Sequence, residues 1–129
     1  MLVPGAIPEH EYFELASAEL AEVRRRGRLI AHTYAECASV LTRTGWRTPA
    51  EAIGYLGQFL REPPAGIAPE RYPAAIEELA DLGIAGGALY DGLIAFAARE
   101  AGGELISLDA RAASRYERCG VSFRLISKR

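Results

Sequence analysis

Cysteine is scarce in this chain. Cys37 and Cys119 are the two present in 129 residues, and neither stands at a metal-ligand spacing. They read as free thiols in a reducing compartment, which excludes a disulfide scaffold and a thiolate metal site. The two histidines, His10 and His32, lack the spacing of a zinc motif. No run approaches the roughly 20 apolar residues of a membrane span, and no leader-like charged start with an apolar run is present. A cytoplasmic protein with no membrane association is the expectation. Excess charge of one sign is also missing. Fifteen basic and 17 acidic residues give a net charge of −2, so the molecule as a whole does not attract nucleic acid. A local basic lip stays open. There is no Gly-x-Ser-x-Gly elbow, and Gly83, Gly86 and Gly87 form neither a Walker nor a dinucleotide fingerprint. The single tryptophan, Trp46, reads as core or helix-edge packing rather than as a base-stacking platform.

What remains is a chain with 50% hydrophobic residues, enough for a core in one domain spanning residues 1–129. Periodicity predicts a helix from Pro8 to Arg26, with Tyr12, Ala16, Leu20 and Val23 on one stripe. The basic run Arg24–Arg28 reads first as last-turn arginines complementing the helix dipole, and only second as a nucleic-acid contact. A short strand over Arg28–Ala31 and a helix to about Arg43 follow. Thr48-Pro49-Ala50-Glu51 has the form of a capping box with proline at the first helical position. It opens a helix carrying Ile53, Leu56, Phe59 and Leu60. Ala65–Ala68 is another strand candidate. Helices to Leu82 and from Ala88 to Ala101 come next. A strand over Glu104–Asp109, a short helix to Cys119 and a strand over Val121–Ile126 complete the chain. Strands alternating with helices predict an α/β domain with a mostly parallel sheet, whose ligands bind beyond the carboxyl ends of the strands.

Three acids stand out against that frame. Asp91 interrupts Ala88–Ala98, a run otherwise apolar or neutral on every face, where an unpaired carboxylate needs a cation, hydrogen bonds or a raised pKa. The alternative is a structural aspartate bonded to a neighbouring helix end. Glu36 is a lone acid early in Tyr34–Leu41, where a favourable interaction with the helix dipole competes as an explanation. Asp109 closes the strand Leu105–Leu108, and by itself reads as an N-cap. Together they suggest oxygen ligands for a hard cation such as Mg²⁺ or Mn²⁺, which would also relieve their mutual repulsion. Such a cation can activate water against a phosphodiester.

At these residues the chain resembles the PIN-domain nucleases, most closely the VapC toxins of toxin–antitoxin pairs. His32–Arg43 is similar to the second family motif, Tyr90–Ala95 to the third, and Leu105–Asp109 to the fourth. The resemblance implies a three-layer sandwich around a mostly parallel sheet. It also implies Mg²⁺- or Mn²⁺-dependent RNA cleavage at Glu36, Asp91 and Asp109, with Ser107 supporting the site. A tRNA or rRNA substrate, a VapB-like antitoxin and a homodimer are further implications. Arg43, Arg111 and Arg115 flank the acids and are candidate RNA phosphate contacts, against the simpler reading of solvated arginines.

The family's first motif is a hydrophobic strand ending in aspartate, and Met1–Pro4 matches only its tail. The first acid is therefore expected a few residues before Met1, through a misplaced or lost start. A chain that truly begins at Met1 is expected to lack its first central strand and to be poorly stable and catalytically weak. The alternative function is accordingly a degenerate PIN domain that binds antitoxin or RNA without cutting. A PIN nuclease of RNA processing, outside any toxin–antitoxin pair, is a third reading.

Overall fold

A computed structural model describes residues 1–127 as two compact units, 1–64 and 65–127. The first is helical: α1 (Leu2–Ala6), α2 (Phe13–Arg26), α3 (Ala31–Arg43) and α4 (Pro49–Gly57). The second holds α5 (Tyr72–Asp81), α6 (Ala88–Glu100), β1 (Leu105–Ser107), α7 (Ala113–Arg118) and β2 (Phe123–Leu125). Short 3₁₀ turns over Pro69–Arg71 and Ala110–Ala112 precede α5 and α7.

In the first unit α1 packs on α2 and α3, and α3 packs on α4. Their apolar faces enclose Leu2, Leu20, Leu29, Cys37, Leu41, Leu56 and Phe59. Orphan carbonyls are the weak point of a five-residue helix. Two long-range donors serve α1: the Tyr55 hydroxyl to the Leu2 carbonyl at 2.7 Å and Arg47 Nη2 to the Ala6 carbonyl at 2.6 Å. The capping box of α4 forms as expected. Thr48 Oγ1 accepts from the Glu51 amide at 3.2 Å, and the Glu51 carboxylate accepts from the Thr48 amide at 2.9 Å. These bonds hold the Glu51 carboxyl below its usual range, the Thr48 backbone bond contributing most.

In the second unit α5 packs on α6 and α6 on α7, while β1 and β2 pair in parallel with Leu105 opposite Phe123. Helix α5 ends in a left-handed Gly83 at φ 73°, where the Gly83 and Ile84 amides reach back to Ala80 and Leu79, both at 2.9 Å. Glycine takes this conformation without the Cβ penalty. Arg99 ties three helices together: it lies 4.2 Å from the Phe96 ring on its own helix, pairs with Glu78 of α5, and donates to the Cys119 carbonyl after α7.

The α/β character and the parallel pairing agree with expectation, but the sheet among the described residues has two strands. The segments read as strands at 28–31 and 65–68 carry only isolated bridges, at Ile30 and Ala65. The second begins directly after Pro63-Pro64, and proline lacks the N–H a ladder needs. In Met1–Pro4, similar to the tail of a strand, Leu2 to Pro4 belong instead to α1 and Met1 is its N-cap. Its proline falls in the first turn, where no intrahelical donor is required. The first long helix starts at Phe13 rather than Pro8. Leu56 and Phe59 are buried as expected, whereas Ile53 is 64% exposed and Ala52 takes the inward place on α4.

Candidate functional site

Asp91 sits in the first turn of α6, one residue before Gly92. Gly92 has a local reason to be there. A Cβ at this position would run into the side chain of Leu79 on α5, so the missing side chain lets the two helices meet closely. That approach fixes where α6 presents Asp91. The carboxylate is 26% exposed and receives a hydrogen bond from Arg115 Nη1 on α7 at 2.9 Å, Arg115 itself being 31% exposed. The apolar run thus predicted that Asp91 needs a partner, and Arg115 is that partner. Arg115, a candidate RNA phosphate contact, is thus also the ion-pair partner of Asp91.

Asp109 lies just past β1. Its Oδ1 accepts from the Arg111 amide at 2.9 Å, making it the N-cap of the 3₁₀ turn. Its own amide donates to Ser107 Oγ at 3.0 Å, so the last residue of β1 orients the loop that carries the acid. Arg111 is 92% exposed with Nε 3.6 Å from Asp109. A residue passed over in the sequence joins these groups. Tyr116, one position after Arg115, is buried and stacks edge-on with Phe123 at 5.6 Å. Burial pushes its hydroxyl above the ordinary tyrosine range. A Ser107 hydrogen bond opposes that shift, Asp91 and Asp109 add to it, and Arg115 opposes it. The signal available in sequence was the inward stripe of Ala112 and Tyr116, spaced one helical turn apart and both buried.

Glu36 belongs to the first unit, on the second turn of α3. It is 63% exposed, with its carboxylate 3.6 Å from His32 Nε2 one turn earlier. The interaction with the helix dipole weighed for it is weak at that depth. Its neighbour Cys37 is buried, and burial raises the thiol pKa to about 11 against a partial opposing pull from the chain's amino terminus. Arg43 is exposed in the last turn of α3. Among the described residues no group of three or more His, Cys, Asp or Glu side chains is arranged to hold a metal ion. The donors in the second unit, two carboxylates and a hydroxyl, are all oxygen, the type that hard divalent cations prefer.

Over 130 aligned residues the chain is 34% identical to Ribonuclease VapC40 of Mycobacterium tuberculosis, in strains CDC 1551 / Oshkosh and ATCC 25618 / H37Rv. The match covers 98% of this chain and 95% of that protein. The chain belongs to the VapC-type PIN-domain ribonucleases. Ribonuclease VapC27 of the H37Rv strain is 38% identical over 102 residues, covering 75% of this chain and 72% of its own. No protein-family model matches, and no solved structure does. The VapC relationship spans both compact units, and so includes all three acids of the resemblance.

Proposed function

We propose that this VapC-type chain is a metal-dependent endoribonuclease and the toxin of a VapBC-type pair, cutting RNA phosphodiester bonds. The observation that carries the reading is the near-full-length relationship to a VapC ribonuclease, supported by the Asp91–Arg115 pair and the Ser107–Asp109 bond in the second unit. Asp91 and Asp109 would hold Mg²⁺ or Mn²⁺, with Glu36 as the third carboxylate and Ser107 in support. Bound there, such an ion supplies a nucleophilic water at neutral pH and offsets charge on the phosphodiester.

The chain's own groups prepare that site. Arg115 holds the Asp91 carboxylate in place through their 2.9 Å contact. Ser107 holds the Asp109 backbone, and the buried Tyr116 hydroxyl stays protonated well above neutrality. Arg43 and Arg111 are exposed and offer charge to the RNA backbone.

Asp91→Asn keeps size and removes charge. It is expected to lower the rate of cleavage of a labelled RNA by at least about 100-fold, more than losing an outer-shell partner costs. Chelation of divalent ions should abolish cleavage, and Mg²⁺ or Mn²⁺ should restore it. Undiminished cleavage by Asp91→Asn would overturn the assignment. RNA binding without any cleavage by the unaltered protein would favour the non-cutting PIN domain instead.

A further inference from the structure

The first unit carries a cleft with no part in the chemistry above. It has a volume of about 490 Å³ and is lined by Ile7, Glu9, His10, Trp46 and Arg47, a size within the range of small-molecule sites. Trp46 is 45% exposed, against the expectation that it packs in the core or at a helix edge. Its loop is fastened at both ends. Gly45 turns the chain at φ 73°, the Arg47 amide reaches the Leu41 carbonyl at 3.1 Å, and the Thr48 capping box begins α4. The indole is thus an exposed aromatic on a backbone already held in place.

The groups beside it have directed chemistry. Arg47 donates to the Trp46 and Ala6 carbonyls at 2.7 and 2.6 Å, which orient its guanidinium, and Glu51 lies near enough to feel its charge. His10 Nδ1 accepts from the Tyr12 amide at 3.1 Å, so the neutral ring carries its proton on Nε2 as a donor. Glu9 supplies an acceptor at the rim. An apolar wall with a flat aromatic, a fixed cation and hydrogen-bonding groups of both kinds matches the face, phosphate and edge of a nucleotide.

We propose that this cleft binds an unpaired purine of single-stranded RNA, its base stacked on Trp46 and its phosphate facing Arg47. The inference rests on the ribonuclease reading for its choice of ligand and deepens it with an RNA-binding position in the first unit. A purine is favoured over uracil because its larger face stacks more strongly on the indole.

Trp46 is the only tryptophan in the chain, so its emission reports on this cleft alone. Short oligo(A) and oligo(U) RNAs carrying a fluorescent label are titrated into Asp91→Asn protein, and into unaltered protein with divalent ions chelated. Anisotropy of the label and Trp46 emission are read together. Saturable quenching by oligo(A) at the concentration where anisotropy rises is expected, with weaker quenching by oligo(U). Trp46→Ala should weaken binding of oligo(A) on the order of tenfold or more, while Trp46→Phe retains most of it. Binding seen by anisotropy with unchanged emission, or unchanged affinity in Trp46→Ala, overturns the proposal. So does an emission change produced only by a protein partner. Cleavage assays on the unaltered protein separate the two readings. Cleavage without quenching removes the Trp46 site alone, whereas neither binding nor cleavage removes the ribonuclease reading as well.

Discussion

A carboxylate on an otherwise apolar helix needs compensation, and Asp91 obtains it from Arg115 at 2.9 Å. Both side chains are about a quarter to a third exposed, so the pair stands between surface ion pairs, worth about 0–1 kcal/mol, and buried ones. Arg115→Gln should destabilise the fold by about 1–2 kcal/mol, read as a lower urea midpoint at unchanged m-value. The double variant Asp91→Asn/Arg115→Gln should recover part of that loss, since neither residue then leaves a charge behind. Strictly additive losses would show that the contact contributes nothing of its own. Arg115 also shows why sequence distance hides partners. The two residues are 24 positions apart, and only the packing of α6 on α7 brings them within reach.

At the scale of elements, two devices position the acids and the frame around them. The close meeting of α5 and α6 at Gly92 is one: Gly92→Ala must displace Leu79 or spread the helices. An overpacking cost of about 1–3 kcal/mol is expected, together with slower RNA cleavage because Asp91 is the adjacent residue. Thr48→Ala is the comparison. It removes half of a capping box and should cost about 1 kcal/mol, with a smaller loss of the proposed RNA cleavage than Gly92→Ala gives. Equal effects of the two variants on cleavage would argue that Gly92 acts only through global stability.

At the scale of the whole molecule, several buried groups protonated at neutral pH govern alkaline stability. The Cys37 thiol is raised to about 11 by burial from an ordinary value of 9.0. Burial also raises Tyr55, with Cys37 adding to the shift and Arg24 opposing it, and raises Tyr116 and Cys119. Between pH 9 and about 11 the unfolded chain has released the Cys37 proton while the folded chain retains it. Unfolding then releases protons, so stability is complete below pH 9 and falls as pH rises towards about 11. Urea midpoints across that interval should fall steadily, and Cys37→Ala should make the decline shallower. A pH-independent midpoint would refute this. No helix among the described residues is long and apolar enough to cross a membrane. The homodimer that the family resemblance implies predicts a light-scattering mass twice that of the monomer. The proposed VapB-like antitoxin should suppress cleavage when bound at equal amounts.

Sequence by itself determined the helices with strong local signals. The capping box at Thr48 and the glycine stop at Gly83 form as read, because caps depend on residues a few positions apart. The parallel pairing of β1 and β2 was legible from short apolar runs alternating with helices. Asp91 was legible as an acid in need of a partner and Asp109 as an N-cap, whereas the bond from the Asp109 amide to Ser107 came only from the structure. What tertiary structure alone decided was which side chain answers each need. Arg115 for Asp91, a buried Tyr116 against Phe123, Tyr55 and Arg47 for the carbonyls of α1, and an exposed Trp46 all follow from packing between elements. The extent of the sheet belongs with them. A three- or four-residue strand persists only where a neighbour completes its ladder, and no periodicity within the segment itself can supply that neighbour.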